Sequence, residues 1–168
     1  MTSITRTSIA SGATGGLLAG IVSGFVLQVA RTTTPDGVQA PAMTLVAGAV
    51  HTAHAPVAWV AYLVYAALIG AGFGWLLHRQ QAGGGLSVIW GVLYGGFWWI
   101  FSGLVVIPAL YGVAPLTSAA VDVIRNASLP WFAAMLVDGG VLGAVYALLV
   151  HRGPPRAGTG SVQMPRAA

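Results

Sequence analysis

The chain contains no cysteine, no lysine and no glutamate, and its acidic residues number three: Asp36, Asp122 and Asp138. Without cysteine there are no disulfides, no thiolate metal sites, no cysteine-linked haem and no thiol catalysis. The shortage of charge excludes more. Charged residues are 6% of 168, against about a quarter in a soluble domain, so a globular surface could not be covered with ionised groups. Seven arginines leave a net charge of +4, too little for a nucleic-acid surface. General acid–base chemistry has few carboxylates to draw on. The glycines at 83–85 lack the Lys and Ser/Thr of a phosphate loop. No facing pair of histidines lies inside an apolar stretch, as a haem between helices would need. The sequence therefore implies no cofactor and reads as non-enzymatic.

What is present is apolar sequence, 57% of the chain. Four stretches, about 9–30, 56–77, 86–108 and 130–150, are long enough to cross the ~30 Å hydrocarbon core as helices of roughly 20 residues. The first is longer than the apolar region of a signal peptide and is expected to be retained. Arg6, Arg79, Arg152, Arg156 and Arg166 fall on one side with both termini, and Arg31 and Arg125 on the other. The excess of positive charge predicts cytoplasmic termini in a bacterial inner membrane. Residues 1–8 then form a cytoplasmic N-terminus, 9–152 the membrane domain, and 153–168, rich in Pro, Gly and small residues, a disordered cytoplasmic tail.

The two halves of the chain match. Gly12, Gly16, Ser23 and Gly24 align at one offset with Gly91, Gly95, Ser102 and Gly103. Leu63, Val64, Gly70, His78 and Arg79 align at another with Leu136, Val137, Gly143, His151 and Arg152. The spacing of Pro41 and Pro56 equals that of Pro115 and Pro130. The fold class expected is an all-α membrane protein, a four-helix bundle built from two parallel helix-hairpin repeats (about 9–79 and 86–152), related by a pseudo-two-fold axis along the membrane normal. In each outer loop a proline precedes an apolar stretch too short to span, "AMTLVAGAVH" and "LTSAAVDVIR". Both are expected as short interfacial helices, the first with re-entry into the membrane as an alternative.

Small residues recur at every fourth position: Gly12, Gly16, Gly20 and Gly24 in the first span, and Ala66, Gly70 and Gly74 in the second. The third has Gly91, Gly95 and Gly103, with Trp99 on the missing rung, and the fourth Gly139, Gly143 and Ala147. Such ridges let helices approach closely in lipid, within the bundle or against a partner. Trp59, Trp75, Trp90 and Trp131 lie near span ends, as an aromatic belt would place them. Trp98 and Trp99 lie deeper, where an indole N–H needs a partner.

Asp138 is the sharpest candidate for chemistry. It falls near the middle of the fourth span, where an aspartate costs about 2.5–3.5 kcal/mol on insertion scales, and no span holds an Arg or Lys to pair with it. It could be protonated, hydrogen-bonded to bundle hydroxyls, or matched by a cation from another subunit. Tyr65 occupies its aligned position in the other half and is one expected partner; Tyr94, Ser23 and Ser102 are others. His51 and His54 would share a helical face at this spacing and are weak metal candidates, since no carboxylate or thiolate is adjacent. His78 and His151 read as polar anchors at helix ends.

The third span, "WGVLYGGFWWIFSGLVVIPALYG" at 90–112, carries Tyr94, Gly95, Trp98, Trp99, Gly103, Pro108 and Gly112 in a pattern of YG, paired aromatics, G-x-x-x-x-P and a closing G. With Gly139, Gly143 and Tyr146 in the fourth span, it resembles a recurring element of uncharacterised four-span bacterial inner-membrane proteins, a domain of unknown function. The resemblance covers the second half of the chain. It implies a four-span bacterial membrane protein and transfers no activity.

Two functions follow from these features. Short loops, glycine ridges and scarce polar groups point to a non-catalytic accessory or scaffold subunit, with the lipid bilayer and other membrane subunits or a second copy as partners, and no nucleic acid. The alternative, from the duplication and the mid-membrane acid, is a small proton- or ion-coupled transporter or channel with Asp138 on the path.

Overall fold

A computed structural model describes residues 3–33, 37–77 and 84–151. Among these, four helices are long and apolar enough to cross a membrane: α1 (Ser3–Val29), α3 (Ala55–Leu77), the run from α4 (Gly84–Phe101) through a π-helical segment (Ser102–Val106) into α5 (Ile107–Leu110), and α7 (Ser128–His151). α1 begins at Ser3, inside the stretch expected as the cytoplasmic N-terminus. Thr14 shows how such a helix tolerates hydroxyls, bonding its own Ala10 carbonyl at 3.0 Å. His78, Arg79, Gly83, Arg152 and the tail lie outside the described residues.

The loop end of the bundle, opposite the termini, carries two short helices, α2 (Met43–Ala49) and α6 (Ser118–Ile124). Both sit where the prolines predicted them. Thr117 caps α6, its hydroxyl accepting from the Ala120 N–H. A small hairpin, β1 (Arg31–Thr33) with β2 (Gln39–Pro41), precedes α2. Three-residue strands carry no periodicity that a sequence reading could detect.

Helix contact is closest between α1 and α3 and between α4 and α7, and glycine is the reason. A Cβ on Gly12 would collide with the Gly70 carbonyl, and one on Gly16 with the Ala66 carbonyl. A Cβ on Gly91 would strike the Gly139 carbonyl, and one on Gly95 that of Met135. Gly20 faces Ala66, and Gly74 and Gly143 face the Ser8 and Ser87 carbonyls. These ridges are thus occupied within the chain. Gly91, not Gly95, holds the place in α4 that Gly16 holds in α1, since each lies over the equivalent pair, Gly139/Gly143 or Ala66/Gly70. The register is one turn from the glycine alignment. A ladder repeating every fourth residue looks unchanged after a four-residue slip, so sequence could not distinguish the two registers. At the next level Gly24 makes room for Trp59, whereas α4 presents Trp99 to Phe132, with ring centroids 4.8 Å apart. Gly103 faces Ile124 of α6 rather than a spanning helix.

The other two seams differ. α1 and α7 pack closely, while α3 and α4 make few backbone-level contacts. The α3–α4 seam is filled by rings: Tyr65 on Trp98 at 5.9 Å and Phe73 on Tyr94 at 5.3 Å between centroids. Bulky side chains hold these two helices apart where small ones let the others meet.

Pro108 accounts for the end of the third span. Lacking an N–H, it leaves the Leu104 carbonyl without its helical partner. The Leu116 N–H fills that role at 3.0 Å from across the loop. Reaching it holds Leu116 at φ 61°, an unfavourable conformation for a residue with a Cβ. The π-helical segment lies just before this break; single π turns mark such irregularities.

Candidate functional site

Two apolar clusters divide the bundle. One, toward the loop end, includes Leu27, Tyr62, Ile107, Trp131 and Met135. The other, toward the termini, includes Ala19, Phe73, Leu77, Leu142 and Tyr146. In α1 and α7, Ser23 and Asp138 fall between them. Both are buried, Asp138 at 4% exposure.

The Ser23 hydroxyl lies within hydrogen-bonding distance of four oxygens: Asp138 Oδ1 at 3.0 Å, Tyr62 Oη at 2.9 Å, the Ala19 carbonyl at 2.9 Å and, at the limit, the Gly20 carbonyl at 3.5 Å. A hydroxyl donates once and accepts twice. With Asp138 ionised, Ser23 donates to the carboxylate and accepts from Tyr62. With Asp138 protonated, the acid and Tyr62 both donate to Ser23, which turns its own hydrogen to Ala19. The first pattern makes two hydrogen bonds and the second three, with the heavy atoms in the same places. The ion pair found among the described residues, Arg125 with Asp122, is on the surface, so hydroxyls rather than a cation accommodate Asp138.

Of the expected partners, Ser23 reaches Asp138. Tyr65 does not bond it: its buried hydroxyl has the Ser102 hydroxyl as its side-chain neighbour, at a separation too loose for a well-formed hydrogen bond, and lies within electrostatic reach of Asp138. Ser102 donates to the Trp98 carbonyl and accepts the Trp131 N–H at 3.1 Å. Tyr94 donates to the Ile69 carbonyl at 3.0 Å, bridging the α3–α4 seam. Trp131 is thereby buried inside the bundle, at 5% exposure. Its N–H finds a partner only inside. Trp99 donates to the Ser128 carbonyl at 3.2 Å, while the Trp98 N–H makes no well-formed hydrogen bond among the described residues and has the Tyr94 hydroxyl as its polar neighbour.

Sequence reasoning missed Tyr62. The signal was present: Tyr62 lies four residues before Ala66 on the line that continues to Gly70 and Gly74, the face of α3 turned to α1.

His51 and His54 do not share a helical face. α2 ends at Ala49 and α3 starts at Ala55, His51 adopts φ 53° in the turn between them, and both side chains are exposed. The left-handed backbone at His51 turns the chain between the two helices and takes the pair off a common helical face. Among the described residues no group of three or more metal-ligating side chains forms.

A cavity of about 80 Å³ lies between α2 and the bundle. Leu45, Val46 and Ala49 of α2 form its cover, and Tyr62, Tyr65 and Ser102 belong to its wall. Tyr62 thus connects the cavity wall to Ser23 and Asp138. The cover is fastened by Tyr111, whose hydroxyl donates to the Leu45 carbonyl at 3.1 Å and packs on Gly48.

Comparison with known family models, curated proteins and solved structures gives no match.

Proposed function

We propose that the protein is a small proton-conducting membrane transporter or channel in which Asp138 is the group on the path that gains and loses a proton. The observation that carries this reading is the hydrogen bonding around Ser23, which satisfies both protonation states of Asp138. Tyr62 belongs to the wall of the adjoining cavity and bonds the same Ser23 hydroxyl as Asp138, which places the cavity one residue from the acid's hydrogen-bond network. The ridge glycines face helices of the same chain, which leaves the accessory-subunit reading resting on the short loops and the apolar exterior.

The same proposal takes the bundle as two duplicated helix pairs with both termini cytoplasmic in a bacterial inner membrane. Support for the duplication is the matched placement of Gly16 and Gly91 on their partner helices. Support for the orientation is the arginine distribution. With this orientation the cavity lies in the outer half of the bilayer.

The test is proton flux. Proteoliposomes with wild-type protein should dissipate an imposed pH gradient faster than protein-free liposomes, and Asp138→Asn should abolish the difference. Equal rates for the wild type and Asp138→Asn would reject the proposal.

A further inference from the structure

The close approach of α1 and α3 at their glycines leaves a furrow along the outside of the pair. It has a volume of about 340 Å³ and is lined entirely by alanine, valine and leucine. Ala13, Ala67 and Ala71 are half-buried in it, while Leu17, Val64 and Leu68 stand exposed. On α3 it runs from Val60 to Ala71, about 16 Å of helix axis at 1.5 Å per residue. That is about half the thickness of a bilayer's hydrocarbon core.

The furrow leads to a charge. Ala13 and Leu17 lie two and three turns beyond Arg6 in α1 and so share its side of the helix. Arg6 is exposed and opens the membrane-spanning part of α1. On α3, Trp75 is exposed and continues the line of Val64, Leu68 and Ala71 toward the same end. From the termini inward, the surface therefore presents a guanidinium, an indole at interfacial depth and an apolar furrow. No acidic side chain occurs before Asp36 or after Asp138 in the chain. Asp122 is engaged by Arg125 and Asp138 by Ser23. A second copy seated furrow to furrow would bring two Arg6 side chains to one level, because copies in one membrane share an orientation. Charge therefore favours an anionic lipid over a dimer in this place.

We propose that the α1–α3 furrow binds an anionic phospholipid from the leaflet on the side of the termini, with its phosphate on Arg6 and the distal part of one acyl chain along Ala13, Ala67 and Ala71. Ala13 lies about 10 Å deeper than Arg6, so the ester region and the first methylenes pass Trp75 before the chain enters the furrow. A guanidinium on a flexible stem reaches outward to the phosphates while its methylenes stay against apolar surface. The bound lipid fastens α1 to α3 on the side away from their glycine contact. This inference goes beyond the proton reading and does not depend on Asp138.

The test titrates the full-length chain, stripped of lipid in detergent, with phosphatidylglycerol or with phosphatidylcholine of identical acyl chains, and counts bound lipid by native mass spectrometry. One phosphatidylglycerol should be retained about fivefold more tightly than phosphatidylcholine, the worth of one basic residue at an anionic surface. Arg6→Gln should abolish that preference, and Arg156→Gln should leave it. Ala67→Phe fills the furrow and should weaken both lipids by about tenfold, the loss of roughly two buried methylenes. Ala71→Phe should do the same and serves if Ala67→Phe loses its helical circular dichroism. Glycerol phosphate, which carries the charge without the chains, should not displace the lipid; displacement would make this a site for free phosphate and overturn the proposal. Equal affinities for the two lipids, a preference lowered as much by Arg156→Gln as by Arg6→Gln, or binding indifferent to the furrow-filling variants would also overturn it. So would a wild-type dimer that Ala67→Phe separates, since a second copy would then hold the furrow.

Discussion

Ser23 and Asp138 are hydrogen-bonded at 3.0 Å across the α1–α7 seam, although 115 residues separate them in the chain. The bond accommodates an aspartate in the apolar middle of the bundle, and it depends on α1 and α7 packing closely.

Removing one member of this trio should be worse than removing all of them. Ser23→Ala leaves Asp138 and Tyr62 without their shared partner and should lower stability by about 1–3 kcal/mol, the range for a stranded buried polar group. The triple variant Ser23→Ala, Tyr62→Phe, Asp138→Leu should recover most of the loss, because no polar group is then stranded. Thermal or denaturant unfolding in detergent distinguishes the two. A triple variant less stable than Ser23→Ala would contradict this account.

The glycine contacts predict a contrast between two alanine substitutions. Gly70→Ala places a Cβ 2.7 Å from the Gly16 Cα, forcing α1 from α3 at a cost of about 1–3 kcal/mol. Gly96 has open space at its Cβ position, and Gly96→Ala should be neutral or stabilising by up to about 1 kcal/mol through helix propensity. Melting temperatures should move in opposite directions, or only Gly70→Ala should fall.

Leu116 is strained and exposed, at φ 61° and 74% exposure. Leu116→Gly removes the clash of its Cβ while keeping the N–H that serves the Leu104 carbonyl. Stability should rise by roughly 1 kcal/mol. Leu116→Pro, which removes that N–H, should lower it. A decrease for the glycine variant would show that the loop is not strained in the protein.

Tyr111→Phe should loosen the cover of the cavity without unfolding the bundle, since it removes the bond to Leu45 and leaves the ring. Hydrogen exchange at residues 42–50 should accelerate several-fold, while that of α7 stays as in the wild type. Uniform acceleration would mean that α2 is not an independently fastened element.

The spans were legible in sequence because length and hydropathy suffice to define a helix that crosses a bilayer. The second span was placed within a residue at its start and the fourth within two residues at either end. The short loop helices were legible because proline punctuates them. Asp138 stood out because charge is so scarce, and Ser23 was named among its partners. The pairing itself was not legible. Every residue at a four-residue spacing from a glycine is an equal candidate for the packing face, which hid both the register and the role of Tyr62. Trp131, placed in the interfacial belt by its distance from the span end, is turned inward by the Ser102 hydroxyl.

By itself, the amino-acid sequence determined that this chain forms apolar helices with small-residue ridges and one interior acid, because these follow from local composition and period. Only the tertiary structure decided that the α1–α3 and α4–α7 seams close on glycine and alanine while the α3–α4 seam is propped open by Tyr65, Tyr94 and Trp98. That outcome depends on which faces meet. In a chain whose helices are apolar all round, packing shape rather than hydrophobicity selects them.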